Sequence, residues 1–387
     1  MGALDRRLSG SLRGGSAGPV IYAAIPALLA AAYYLLALFA AIQHLLARDA
    51  VPTTLPPISI LKPIHGHDPG FYEGIRSHAV QDYPDFELLF GVHKPDDGST
   101  AAIERLAAEF PERHIRLVRV ERDAQNGKVS VLAELAKLAR NPILLVNDSD
   151  ISVAPGYLRH VVAPLEDLRV GLVTCLYRAR AESGPSRWEA IGLETEFVPS
   201  VLVARLIGQQ GFALGSTMVF RAEQIRQIGG FEAVEDYIAD DYQLGMRVAA
   251  LGYKVAMAKK VVETDLGGEK WIDVWRHQLR WSRTIRVSRP AGYFGYVVTH
   301  ATLWALVALA AGAWQIALAV MAIRIAVGVL TSAAVLGERR ILSDFWLIPA
   351  RDLWGFAVWL AGLFGDTVQW RDKTLRLSRD GKIRLVN

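Results

Sequence analysis

Cysteine is almost absent from this chain. Cys175 is the single one in 387 residues, so no internal disulfide can form, which suits a face in the reducing cytosol. Internal repeats and low-complexity segments are also missing. Residues 18–47, "GPVIYAAIPALLAAAYYLLALFAAIQHLLA", contain no Asp, Glu, Lys or Arg. At roughly 1.5 Å per residue this run is long enough to cross the ~30 Å hydrocarbon core of a bilayer. It is longer than the apolar part of a signal peptide, and the "ARD" that follows is a poor cleavage site, so a retained membrane helix is expected.

What is present divides the chain. Apolar residues make up 52% and mean hydropathy is +0.22, between the values of a soluble domain and a membrane bundle. The net charge of +4 and pI ≈ 9.1 fit an anionic partner such as a membrane surface or a phosphorylated ligand, without demanding one. A second apolar block, Val297 to Gly337, is interrupted only by His300 and Arg324. Its length suits two tight crossings turning near Gly312 to Gln315, or one long tilted helix with a shorter buried piece. A third block, "FWLIPARDLWGFAVWLAGLF" (345–364), carries Pro349, Arg351 and Asp352. Charges within a span are costly and face protein or water, so a re-entrant or interfacial segment is expected. The expected membrane region is therefore 297–366, followed by a basic tail at 367–387 that the positive-inside rule places in the cytoplasm.

Residues 55–290 have the composition of a soluble α/β domain. The runs "PISILKPI" (57–64), "FELLFGVH" (86–93), "HIRLVRV" (114–120) and "PILLVND" (142–148) read as strands. "PGFYEGIRSHAV", "STAAIERLAAEF" and "KVSVLAELAKLA" read as the helices between them. This alternation predicts a largely parallel sheet covered on both faces, with ligands beyond the carboxyl ends of its strands.

Acidic pairs fall at those ends. Asp96 and Asp97 follow the second strand, and Asp148 and Asp150 follow the fourth in "NDSDI". Two carboxylates one residue apart on a turn can meet a hard divalent cation, Mg²⁺ or Mn²⁺, together with phosphate oxygens. A lone D-x-D is more often a solvated turn or a helix cap. Its position after a buried strand of a parallel sheet favours the metal. Asp240 and Asp241 begin an amphipathic helix with Leu244, Val248 and Leu251 on its apolar side. N-capping is the plain explanation, but one cap needs one acid, which leaves the other to act as a general base. In "KWIDVWRHQLRWSRTIRVSR" (270–289), a helix stacks Arg276, Arg280 and Arg283 on one side, with Trp271, Trp275 and Trp281 interleaved. This fits an interfacial helix, and also a helix that lines the site with Arg280 and Trp281. "HGHD" (His65, His67, Asp68) offers metal ligands to a hydrolase, but no other histidine cluster accompanies it and a polar loop explains it better.

In this order the features resemble the ceramide glucosyltransferase family of inverting GT-A membrane glycosyltransferases, including bacterial hopanoid-associated relatives. The resemblance covers nearly the whole chain. "SILKPIHGHDPGFYEGIRSHAVQDYP" is similar to the family's first strand with its "LKP" and "DYP", and "NGKVS" to its Asn-x-Lys loop, here Asn126 and Lys128. "NDSDI" matches its second Asp motif, "IADDY" its base motif, and "HQLRW" its (Q/R)-x-x-R-W motif, while "TVQWRDKTLRL" resembles its C-terminal "W-R" element. One departure stands out: His277 occupies the position of Gln or Arg.

The resemblance implies a mixed, mostly parallel GT-A sheet with membrane helices at both ends. It implies a single displacement that moves glucose or N-acetylglucosamine from a UDP-sugar to a lipid hydroxyl, ceramide-like or hopanoid. Asp241 is then the base, and Asp148 and Asp150 the Mg²⁺ or Mn²⁺ ligands. Asp96, Asp97, Lys128, Asp148, Arg280 and Trp281 bind the donor, while Asp240, His277 and Asn126 are further candidates. No nucleic-acid partner is expected. The Ala- and Arg-rich composition suggests a bacterial inner membrane, with the catalytic domain facing the cytoplasm. The basic N-terminal "DRRLSGSLRGG" opposes that orientation if the first helix crosses once, and a first segment that only dips into the bilayer would reconcile them. Processive polysaccharide synthases are related, but thread their polymer through more spanning helices. A membrane sensor of nucleotide-sugars would need the sheet and Asp148/Asp150, but neither Asp241 nor Arg280.

Overall fold

The computed structural model describes residues 17–66, 70–93, 98–209, 211–370 and 373–386. After helix α1 (Ala17–Leu46), the chain runs β1 (Ile58–Ile64), α2 (Phe71–Ala79), β2 (Phe86–Val92), α3 (Ser99–Glu109), β3 (His114–Arg119), α4 (Gly127–Leu138) and β4 (Ile143–Val146). These elements follow the alternation read from the sequence. Strands β1, β2 and β4 are buried along their whole length, as expected when helices cover both faces of a parallel sheet.

The chain then adds β5 (Ile151–Ser152), α5 (Tyr157–Val162), β6 (Val170–Arg180), α6 (Gly184–Gly192), α7 (Val198–Leu206), β7 (Met218–Arg221), α8 (Ala222–Gln227), α9 (Asp240–Ala250) and β8 (Lys254–Asp265). The sheet order is β3-β2-β1-β4-β7-β6-β8-β5. β7 runs antiparallel to β4 and β6, β8 is parallel to β6, and β5 is antiparallel to β8. One apolar cluster lies between the sheet and α2, α3 and α5, and a second between the sheet and α4, α8 and α9. On α9, Leu244 and Val248 are buried as expected, whereas Leu251 is exposed.

The remaining helices are α10 (Trp271–Ser288), α11 (Pro290–Gly295), α12 (Ala301–Ala310), α13 (Trp314–Leu330), α14 (Ile341–Asp344) and α15 (Ile348–Gly362). Among the described residues, two helices are long and apolar enough to cross a membrane, Tyr22–Leu46 and Trp314–Val335. The segments 290–299 and 301–310 form a bent pair at 50°. The second apolar block thus divides at Gly312, whose φ is +90°. Small residues let these helices approach closely: Ala27, Ala30 and Ala37 of α1 share a buried cluster with Ala301, Ala305 and Ala308 of α12 and Ala317 of α13.

The third block forms α15, and its charges face protein. Asp352 pairs with Arg324 of α13 at 2.6 Å, both fully buried, and accepts from Thr302 at 2.8 Å. The tail folds into an antiparallel sheet of β9 (Thr367–Trp370), β10 (Lys373–Leu377) and β11 (Ile383–Leu385). It packs through Val368, Leu375, Leu377 and Ile383 against Ile238 and Val287.

Candidate active site

β4 ends at Val146, and the next four residues bring Asn147, Asp148 and Asp150 to the carboxyl edge of the sheet. Asn147 is buried and fixes the turn. Its amide donates to Ser216 O at 2.6 Å and Tyr157 Oη at 3.0 Å, and its oxygen lies 3.1 Å from His78 Nε2. Below the turn, Lys62 of β1 is wholly buried and donates from Nζ to Asp148 O at 2.9 Å. Burial lowers the Lys62 pKa to about 8, against the opposing pull of Asp150 and Asp148. Asp150 accepts from the Thr264 hydroxyl of β8. Asp148 keeps 39% of its side chain exposed, so this turn holds its charge at an open edge and not in the core.

Three acids and a lysine converge here. Lys128 Nζ lies 2.6 Å from Asp148 Oδ1 and 3.2 Å from Asp240 Oδ2. Burial works against the Lys128 ammonium, but the charges of Asp148, Asp240 and Asp241 outweigh it and raise its pKa. Neither acid of α9 caps the helix: Ala239 is the N-cap, and both lie in the first turn. Asp241 Oδ2 accepts from Gly215 N at 2.8 Å and Oδ1 from Tyr242 N at 2.7 Å. Burial, then the neighbouring Asp240 charge, pushes the Asp241 carboxyl up to about 6. Burial also raises Asp240, with Lys128 opposing.

Two glycines shape this edge. A Cβ on Gly215 would lie 3.1 Å from Asp148 Oδ2, 3.4 Å from Asp241 Oδ2 and 3.5 Å from Lys128 Nζ. A Cβ on Gly245, one turn beyond Asp241, would meet Ala213 N at 2.6 Å. Gly245 thus lets the loop before β7 lie on α9, which brings Gly215 to Asp241. Thr174 of β6 holds that loop, accepting from Leu214 N at 3.0 Å. The turn after β4 offers hard carboxylate oxygens from Asp148 and Asp150, a donor type that fits Mg²⁺ or Mn²⁺, while Asp241 faces Asp148 across Gly215.

A second polar group lies along α10. His277 Nδ1 is 2.6 Å from Glu189 Oε1 of α6, and donor atoms of Glu189, Glu269 and His277 all lie within 4.8 Å of one another. Burial, then the charge of Glu189, pushes Glu269 up to about 8. His277 meets the edge of Trp281 at 4.6 Å between centroids, Trp281 meets Phe197 at 6.1 Å, and Phe197 meets Tyr177 at 5.6 Å. Burial raises the Tyr177 hydroxyl pKa, and the charges of Asp241, Asp148, Asp150 and Glu189 raise it further. Tyr177 therefore stands between the acid cluster and the Glu189–His277 pair.

The expected site residues are sorted by this geometry. Asp148, Asp240, Asp241 and Lys128 come together, and Asp150 joins them on the same turn. Asn126 is a structural residue: it caps α4 through Val129 N at 3.2 Å and donates to Tyr237 O at 2.8 Å. Arg283 does not share a role with Arg280. It donates to the carbonyls of Phe364 and Thr367 and thereby ties α10 to the end of α15, while Arg276 is exposed. Of the "HGHD" stretch, His65 is exposed. His67, Asp68, Asp96 and Asp97 lie outside the described residues. Lys62 is the lysine of the "LKP" stretch, which carries no role from the sequence alone, and Gly215 and Glu189 had no pattern to mark them as site residues.

The mixed sheet, parallel in its first half with an acidic turn after the fourth strand, is a GT-A sheet. It aligns with the structure of a mannosyltransferase from Pyrobaculum calidifontis in complex with GDP-Man and Mn²⁺, at TM-score 0.54 and 21% identity, covering 89% of this chain and 97% of that one. Residues 22–383 match the model of glycosyl transferase family 21, and the chain belongs to that family. Among curated relatives, ceramide glucosyltransferase 1 of Caenorhabditis elegans is 26% identical over 228 residues, 58% of this chain and 49% of that one. The beta-monoglucosyldiacylglycerol synthase of Nostoc sp. is 24% identical over 234 residues, 59% and 49% of the two chains. The chain spans about half the length of these relatives.

Proposed function

We propose that the protein is an inverting glycosyltransferase that moves a hexose from a UDP-sugar to the hydroxyl of a membrane lipid. The observation that carries this reading is the convergence of Asp148, Asp241 and Lys128 on the space beside Gly215. The printed names of the two relatives, one acting on ceramide and one making a glucosyldiacylglycerol, support a lipid acceptor and glucose as the sugar. N-acetylglucosamine and a hopanoid acceptor stay within the same chemistry. Residues 55–290 form the catalytic unit, including α10, with membrane segments at 18–47 and 297–366 and the basic tail at 367–387. The nucleotide donor places the catalytic unit at the cytoplasmic face.

Asp241 takes the proton of the acceptor hydroxyl. Backbone N–H groups from Gly215 and Tyr242 fix its two oxygens, and its raised pKa makes it a stronger base than an ordinary carboxylate. The acceptor oxygen then bonds to the anomeric carbon as the bond to the β-phosphate oxygen breaks, and UDP departs. Asp148 and Asp150 would hold Mg²⁺ or Mn²⁺, which when bound offsets the charge of the diphosphate. Lys128 keeps Asp148 and Asp240 from repelling one another. Arg280 faces the diphosphate, Trp281 the acceptor side, and Glu189 orients His277 beside them. Asp96 and Asp97 serve the uridine end. Holding both reactants in line removes much of the entropic barrier.

The test uses purified protein in detergent with Mg²⁺ or Mn²⁺ and a panel of UDP-sugars, each offered with ceramide, diacylglycerol or a hydroxylated hopanoid. Lipid-dependent UDP release and a glycolipid product are expected, with activity about 10²–10⁴-fold lower in Asp241→Asn. UDP-sugar binding with no turnover on any acceptor would instead identify a nucleotide-sugar sensor.

A further inference from the structure

A groove outside the site gathers four arginines. The cavity, ≈ 920 Å³, lies between α10, α11 and the tail sheet, and four of its lining side chains are Arg286, Arg376, Arg379 and Arg384 against one acid, Asp366. In the antiparallel pair of β10 and β11, Arg376 stands directly opposite Arg384. Like charges facing across two strands destabilise the pair, and an anion between them removes that repulsion. Asp366 lies 3.5 Å from Arg376, with both side chains more than half exposed, so their attraction is weak. Arg286 already donates to the carbonyls of Leu363 and Gly365. Arg379 and Arg384 are exposed and have no ion-pair partner among the described residues.

The surroundings identify the source of the anion. Phe294 of α11 lines the groove and is 57% exposed, and Phe364, at the end of α15, is 67% exposed. α15 and the bent pair that starts at Pro290 belong to the apolar part of the chain. Bare aromatic rings beside clustered arginines are the pattern of a headgroup-level surface, where anionic lipids attract basic residues.

We propose that this groove binds the phosphate headgroup of an anionic membrane lipid and so seats the tail sheet on the bilayer. The inference is independent of the transferase activity. In purified full-length protein in a neutral detergent, thermal unfolding is followed during titration with short-chain phosphatidylglycerol or with phosphatidylcholine of the same chain length. Phosphatidylglycerol is expected to raise Tm by about 4 °C at saturation, phosphatidylcholine to leave it unchanged, and added salt to reduce the shift. The double variant Arg379→Ser/Arg384→Ser should have an unliganded Tm at or slightly above that of the parent, because the Arg376–Arg384 repulsion is relieved, and should lose the shift. Should that variant not fold, Arg379→Gln/Arg384→Gln answers the same question. A phosphatidylglycerol shift that persists in the variant, or an equal shift with phosphatidylcholine, overturns the proposal. Inorganic phosphate producing the full shift overturns the lipid assignment in favour of a free anion.

Discussion

Asp241 is gripped by two backbone N–H groups while three other charges crowd it. That grip depends on Gly215, which has no side chain to push the acids apart. In Gly215→Ala the new methyl carbon would meet Asp148 Oδ2 at 3.1 Å, closer than carbon and oxygen rest comfortably. Turnover should fall about 10²-fold, the cost of moving reacting groups by a fraction of an ångström to an ångström, while Tm changes little. A kcat measured beside a melting curve checks both. The acids were legible in the sequence because Asp148 and Asp150 follow a run of apolar residues that can only be a buried strand. Gly215 was not, because its role arises from chain segments far away in sequence, and the "LKP" stretch marked Lys62 without showing that it would hold the turn after β4. His277 was noticed as a departure from a motif, but its partner Glu189 carries no motif of its own.

At the scale of elements, α10 joins the two halves of the molecule. Gln278 accepts from Arg351 and Trp354 of α15 at 3.2 and 2.8 Å, and Glu269 sits just before the helix, against Glu189. The raised pKa of Glu269, about 8 against an ordinary 4.5, has a consequence for stability. A folded-state pKa above the unfolded one means that stability is fully present below the unfolded value and is lost as pH rises through about 8. Tm should therefore decline between about pH 4.5 and pH 8, and the decline should be smaller in Glu269→Gln. Thermal melts across that range decide it. The buried pair Arg324–Asp352 between α13 and α15 behaves differently. Asp352→Asn should cost about 3–5 kcal/mol by stranding a buried charge, whereas Arg324→Met with Asp352→Leu should cost far less; denaturation of each variant in detergent measures the difference. The first four strands and their helices were legible from alternating patterns. The second half was not, since β6 pairs in parallel with β8 across four helices and β7, and antiparallel β7 inserts between β4 and β6. The third apolar block was legible as something other than a plain span, because Arg351 and Asp352 require protein around them.

At the scale of the whole molecule, the tail reaches back to the loops that carry the site. Ile383 N donates to Asp236 O at 2.7 Å, Tyr237 bridges Lys382, and Leu385 N donates to Gln125 Oε1 at 3.1 Å. Asn126, next to Gln125, in turn holds Tyr237. Lys128 lies two residues beyond Asn126, and Asp240 three beyond Tyr237. The loops bearing Lys128 and Asp241 are thus tied to the tail sheet. A chain stopped after residue 372 should insert into membranes normally, resist extraction by alkali, and yet be inactive. Supplying 373–387 as a separate peptide would then restore turnover in proportion to its concentration. The tail would then act on the site without belonging to it.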